Sequence, residues 1–129
     1  MIKVAFVCIH NSCRSQMAEG YLRALGKERF EVYSAGTEDY PEVKPKAIEA
    51  MKLDGIDIQD QYPKKLDVLP PDLDYLITMG CGVECPFVPT KHREDWNLTD
   101  PSGGPLEDFI ATRELIKERV LELIERTKK

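Results

Sequence analysis

Apolar positions along this chain fall into alternating short runs and helical stripes. Ile2-Lys3-Val4-Ala5-Phe6-Val7 is nearly all apolar and rich in β-branched types, the pattern of a strand buried on both faces. After a polar stretch from Cys8 to Ser15, Met17, Ala18, Tyr21, Leu22 and Leu25 recur at helical spacing, with Gly26 placed to cap the end. Phe30 to Ser34 reads as a second strand, ended by Ala35-Gly36. Pro45 suits the start of a helix with Ala47, Ile48 and Met51 on one face and Gly55 beyond its end. Pro63 to Leu69 fits neither pattern. Asp74 to Met79 is a strand candidate before Gly80. Residues 80–105 are rich in Gly and Pro and read as a long loop, a feature that in a compact domain usually serves function or is disordered. From Pro105 to Thr127 a last helix buries Phe109, Ile110, Ile116, Val120, Leu123 and Ile124. Glu107 and Asp108 stand in its first turn and basic residues at its end, complementing its dipole.

Strands alternating with helices predict an α/β fold with a largely parallel sheet and right-handed crossovers. In such sheets a ligand binds outside the carboxyl end of a strand where strand order switches, here after the first strand. The 129 residues are enough for one core, and no linker or repeat divides them, so residues 1–129 are expected to form one domain. No apolar run is long enough to cross a membrane, and the N-terminal one is too short for a signal peptide. The expectation is a cytoplasmic monomer without a membrane partner. A net charge of −5 argues against a broad nucleic-acid surface. It leaves room for one small anion site, because local dipoles outweigh a distant net charge.

Such a site is written at the first strand–helix junction, Cys8-Ile9-His10-Asn11-Ser12-Cys13-Arg14-Ser15. A loop between a buried strand and a helix can aim successive backbone N–H groups inward as a nest. The helix N-terminus adds its own unpaired N–H groups and dipole. Arg14 can clamp a tetrahedral oxyanion through two donors. The same positive field favours the thiolate form of Cys8, the reactive one, and Ser15 can donate a hydrogen bond to it. Asn11 is placed to fix the loop through backbone groups. Ile9, His10, Asn11, Ser12, Cys13 and Arg14 thus form the expected oxyanion loop.

Two further features carry chemistry. Asp100-Pro101 can supply a loop carboxylic acid, although Asp-Pro is also common in plain turns. Cys81 and Cys85 are separated by a span that rises about 6 Å on a helical turn, within reach of a disulfide. Gly80, Gly82 and Pro86 make the segment easy to unwind, which suits thiol–disulfide exchange. A zinc site drawn from Cys8, Cys13, Cys81, Cys85, His10 and His92, or two idle thiols, are the other readings; no tight ligand spacing supports a metal. Trp96 is read as a packing anchor, His92 as exposed, and Glu94 and Asp95 as solvated charges.

Val7 to Ser15 resembles the phosphate-binding loop of low-molecular-weight tyrosine phosphatases and of the arsenate reductases that share their fold. Gln16-Met17-Ala18-Glu19-Gly20, Tyr33-Ser34-Ala35-Gly36 and Pro45-Lys46-Ala47-Ile48-Glu49-Ala50-Met51 look like the reductase branch, as does Lys91-His92-Arg93-Glu94-Asp95-Trp96 after the cysteine pair. The likeness spans almost the whole chain. It implies a three-layer αβα architecture around a doubly wound, four-stranded parallel sheet. It also implies arsenate reduction by a thiol relay: Cys8 attacks arsenate, Asp100 protonates the leaving oxygen, Cys81 attacks Cys8, and Cys85 attacks Cys81. Thioredoxin then reduces the Cys81–Cys85 disulfide, and Cys13 is structural. The phosphatases follow the acid with aromatics; Ser102-Gly103-Gly104 offers none, which favours a small inorganic substrate. The rival functions are a tyrosine phosphatase, whose hydrolysis would share the same cradle, and a non-enzymatic thiol or metal sensor. His10 stands where this loop often has Gly, at a cost if the position needs positive φ. The family's potassium site is matched by Asn11, Glu19 and Ser34, but Lys64 falls where an acidic ligand is expected. Its ammonium is therefore expected to supply the charge in place of potassium.

Overall fold

A computed structural model describes residues 1–80 and 88–128. The elements in chain order are β1 (Ile2–Cys8), α1 (Arg14–Gly26), β2 (Phe30–Gly36), α2 (Pro45–Leu53), β3 (Leu73–Thr78), β4 (Thr90–Asp95) and α3 (Leu106–Arg126). Short 3-10 turns cover Lys27–Arg29 and Leu66–Val68. The four strands are all parallel in the order β2-β1-β3-β4. Order reverses at β1, so the carboxyl end of β1 opens into a crevice where the loop from Cys8 to Cys13 stands.

The near-continuous apolar run of β1 follows from its central place, paired with β2 from Ile2↔Phe30 to Cys8↔Gly36 and with β3 from Val4↔Tyr75 to Val7↔Thr78. Val4, Phe6 and Cys8 join the main core, whereas Ala5 and Val7 join a smaller cluster with Leu73, Leu76 and Val88. The main core is closed by Met17, Ala18, Tyr21 and Leu22 of α1, by Ala47, Ala50 and Met51 of α2, and by Phe109, Ile116, Val120 and Leu123 of α3. Each large apolar side chain buried there contributes about 1.5–3 kcal/mol. The smaller cluster is flanked by Leu66 and Leu69, around the second 3-10 turn.

Three local expectations change. Gly26 does not cap α1 in the left-handed region: it has φ −83°, and Lys27 takes φ 53° instead. Gly26 is needed for closeness, since a Cβ there would sit 2.5 Å from the Phe30 ring. The stretch 80–105 is not a continuous loop, because it contains β4. This edge strand is mostly exposed, and its six residues carry no apolar alternation to announce it. Its anchor is the next residue, Trp96, which is 1% exposed and lies 5.4 Å from the Phe6 ring.

Glu94 and Asp95 are not simply solvated charges. Glu94 accepts from Arg126 Nη1 at 2.8 Å, Arg126 Nη2 at 3.0 Å and Trp96 Nε1 at 2.7 Å, and it pairs with the exposed His92 at 2.8 Å. Asp95 accepts from the Thr78 hydroxyl at 2.6 Å and from the Gly80 N–H at 2.7 Å. The two carboxylates join β4 to α3 and to the end of β3.

Candidate active site

Cys8 ends β1 and Arg14 begins α1, so the residues between them form a loop whose far side is a helix N-terminus. Among the first helical N–H groups, that of Met17 reaches back to the Cys13 carbonyl at 2.9 Å. Those of Arg14, Ser15 and Gln16 precede the first α-helical bond and are available to an anion.

Ser15 Oγ lies 2.9 Å from Cys8 Sγ, and Asn11 Nδ2 donates to Ser15 Oγ at 2.7 Å. Asn11 has φ 55°, a left-handed conformation that Asn tolerates better than most residues. His10 is not among the positive-φ residues, so the cost contemplated for it falls on Asn11 instead. Asn11 does more than bind backbone groups. Its Oδ1 accepts the Lys64 N–H at 2.9 Å, and its Nδ2 serves Ser15.

The next segment holds the loop from outside. Thr37 N donates to Cys8 O at 3.2 Å, Glu38 N to Ile9 O at 2.9 Å and Lys44 N to Ser12 O at 2.8 Å. The His10 ring stacks on Tyr40 at 4.8 Å and meets Glu38 at 3.3 Å, and Lys44 Nζ reaches the Tyr40 hydroxyl. Sequence patterning missed this rim, because residues 37–44 carry no periodic signal. Gly36 lets the two segments touch: a Cβ there would lie 2.7 Å from Ile9 O and 2.9 Å from Asn11 N.

Arg14 is 4% exposed. Its Nη1 donates to Met79 O at 2.8 Å and to Leu98 O at 2.7 Å, pinning one end of the guanidinium to the ends of β3 and β4. The other edge consists of Nε and Nη2. Nη2 is 3.8 Å from Asp100 Oδ2, and buried Nε is without a hydrogen-bond partner among the described residues. A buried unpaired donor costs about 1–3 kcal/mol, which a tetrahedral oxyanion on this edge would recover.

Asp100 therefore stands at the mouth, half exposed, with Ser102 N donating to its Oδ1 at 3.0 Å. Partial burial pushes its carboxyl up. The Ser102 hydrogen bonds and the Arg14 and Lys44 charges outweigh that and hold it below the usual carboxylate range. Cys13 is buried, and burial together with the charges of Asp100 and Cys8 pushes its thiol well up, which suits a structural role. Cys81 and Cys85 lie outside the described residues. Among the described residues no group of three His, Cys, Asp or Glu side chains is placed to hold a metal.

Behind the loop, buried Glu19 accepts from the Ser34 hydroxyl and from Arg23 Nε at 2.8 Å, and Lys64 Nζ stands 3.7 Å away. Lys64 Nζ also donates to Tyr62 O at 2.7 Å. Burial pulls the Lys64 ammonium below the ordinary lysine range, against the attraction of Glu19. Two cations, Arg23 and Lys64, thus stand around Glu19.

A parallel α/β sheet with a cysteine, an unpaired guanidinium donor and a helix N-terminus at its switch point is the architecture of a small α/β enzyme with an anion-binding loop. The chain belongs to the family described as low molecular weight phosphotyrosine protein phosphatase, whose profile matches residues 3–129. Within it, the chain is 45% identical over 128 residues to the glutaredoxin arsenate reductase of Synechocystis, covering 96% of this chain and 97% of that one. A solved arsenate reductase in a phosphate-binding state superposes with a TM-score of 0.91 at 44% identity, over 99% of this chain and 100% of that one. A thioredoxin-dependent arsenate reductase of Corynebacterium glutamicum gives 0.78 at 36% identity, over 99% of this chain and 64% of that one.

Proposed function

We propose that this chain is an arsenate reductase in which Cys8 is the nucleophile, Asp100 the general acid, and Cys81 and Cys85 the thiols that carry oxidising equivalents away. The observation that carries the reading is the edge of Arg14 with its buried, unpaired Nε beside an Nη2 that faces Asp100, at the end of the loop that begins with the Cys8–Ser15 pair.

Arsenate docks on that edge and on the N–H groups of the loop and of α1. The Cys8 thiolate bonds to arsenic, and one oxygen departs as water with a proton from Asp100. The negative charge of the substrate offsets Arg14 and Lys44, which raises the proton affinity of Asp100 at the moment the proton is needed. Cys81 then attacks Cys8 sulfur. The S–As bond breaks, its electron pair stays on arsenic, and arsenic(V) leaves as arsenite while the two thiols become one disulfide. Cys85 attacks Cys81, which frees Cys8 and leaves a Cys81–Cys85 disulfide for an external dithiol.

Thioredoxin is the proposed reductant, as the name of the Corynebacterium relative supports. The name of the Synechocystis relative makes glutaredoxin with glutathione the competing donor. Lys64 occupies the charge position beside Glu19, so turnover does not require potassium. Phosphate-ester hydrolysis is the secondary reading, because it uses the same cradle and nucleophile.

The test is arsenate-dependent NADPH oxidation with thioredoxin and thioredoxin reductase, repeated with glutaredoxin, glutathione and glutathione reductase. Wild-type turnover that both Cys81→Ser and Cys85→Ser lose is the expected result. Aryl-phosphate hydrolysis without arsenate turnover, unaffected by either substitution, would make the protein a phosphatase.

A further inference from the structure

Gln16 is fully buried one residue beyond Ser15 and touches the nucleophile through intermediaries. Its Nε2 donates to Asn11 Oδ1 at 2.9 Å, to Asn11 O at 2.9 Å and to Tyr62 O at 2.9 Å. Its Oε1 accepts from Gln61 Nε2 at 2.7 Å, and Gln61 also donates to Gln16 O at 3.0 Å.

The direction of these bonds matters more than their number. A carboxamide has one accepting end and one donating end. Asn11 Oδ1 receives two donors, Gln16 Nε2 and Lys64 N, so the amide of Asn11 has one permitted orientation. Its Nδ2 must then face Ser15 Oγ, 2.7 Å away. Ser15 Oγ is already accepting there, so its proton is free for Cys8 Sγ at 2.9 Å. Donors thus run one way from Gln61 through Gln16, Asn11 and Ser15, and the chain ends on sulfur as an acceptor. A thiolate accepts that last bond more strongly than a thiol does.

We propose that Gln16, oriented by Gln61, is a positioning residue that holds the Asn11–Ser15 pair in the polarity that favours the Cys8 thiolate. The inference rests on the reading of Cys8 as the nucleophile. It makes the segment after α2, which holds Gln61 and Tyr62, part of the machinery that activates a thiol three elements away.

Gln16→Glu keeps the shape and reverses the polarity. At neutral pH its carboxylate has no proton for Asn11 Oδ1, which keeps the Lys64 N–H as its donor, and the carboxylate instead competes with Ser15 for Asn11 Nδ2, so the bond from Ser15 to sulfur weakens. Gln61→Leu removes the group that orients Gln16, at a position only partly buried. The readout is the pH midpoint of Cys8 alkylation by iodoacetamide, located by peptide fragmentation so that Cys8 is separated from Cys13. Thermal melts establish that each variant is folded. Gln16→Glu is expected to raise the midpoint by about one pH unit, a tenfold loss of thiolate per unit, since a hydrogen bond to a charged group has about that strength. Gln61→Leu is expected to raise it by about half as much on the same scale.

Unchanged midpoints in the folded variants would overturn the proposal while leaving Cys8 as the nucleophile. A wild-type midpoint equal to that of a free thiol would instead overturn the nucleophile reading. If Gln16→Glu does not fold, Gln61→Leu decides alone.

Discussion

Replacing Glu94 by Gln removes a charge that the fold has enclosed on three sides. Glu94 is 20% exposed and accepts both ends of the Arg126 guanidinium together with the Trp96 indole N–H. The Arg126 hydrogen bonds, against an opposing effect of burial and with help from Trp96 and His92, pull its carboxyl from an ordinary 4.5 to about 2. A folded-state value below the unfolded one stabilises the protein above the unfolded value, and that stability is lost as pH falls toward the folded one. At pH 7 the depression amounts to about 3 kcal/mol, and at pH 3 linkage leaves less than half of it. Urea denaturation of wild type and Glu94→Gln at both pH values reads the difference. The variant is expected to be less stable at neutral pH by about 2–3 kcal/mol, because Gln keeps an acceptor for Trp96 but not the charge. The gap should fall by half or more at pH 3. A gap of equal size at both pH values would refute the electrostatic origin. Function is coupled to this feature, because the same stretch places Leu98 O on Arg14 and carries Asp100.

Two further outcomes follow from close contacts. Gly36→Ala drives a Cβ into the backbone of Ile9, His10 and Asn11 at 2.7–2.9 Å; with no flexible side chain to yield, it should lower stability by about 1–3 kcal/mol. Arsenate turnover should fall more than the melting temperature implies, and turnover at the wild-type level would show that the loop absorbs the shift. Lys64→Met leaves Glu19 with Arg23 as its remaining cation. Wild-type turnover should be the same in potassium and sodium chloride, whereas the variant should become slower and respond to potassium; strong potassium activation of wild type would refute the role given to Lys64.

The first half of the chain was legible because its chemistry and its periodicity coincide. The apolar run of β1 breaks at Cys8, and the stripe beginning at Met17 resumes the core, so the loop between them had to be a strand–helix turn. The contact between Ser15 and Cys8 was legible from that spacing, whereas the burial of Arg14 comes from Met79 and Leu98, which the local sequence does not bring near it. β4 was illegible for the opposite reason. Charged residues fill an edge strand whose burial is supplied by Trp96 and Leu98 beyond its end. Glu94 looked solvated because its partner Arg126 is 32 residues away in sequence. Gln16 and Gln61 left no trace in pattern reading, since an amide pair has neither charge nor period. His10, where the loop often has Gly, needs no positive φ; the left-handed residue is Asn11, where a side-chain amide stabilises it.

The seat formed by the free edge of Arg14 has a consequence for selection among oxyanions. Nε is unpaired and Nη2 stands 3.8 Å from Asp100 Oδ2, without a tight hydrogen bond to it, so both can turn to a tetrahedral dianion, and nothing in that edge measures the central atom. Phosphate and arsenate therefore compete for it on nearly equal terms. Discrimination falls instead on the step after capture. An arsenic(V)–sulfur bond can yield its electrons to arsenic when a second thiol attacks, whereas phosphorus(V) in the same place can only be hydrolysed back. On the proposed relay the protein thus sorts its substrates by redox chemistry, and abundant phosphate slows it by occupancy alone.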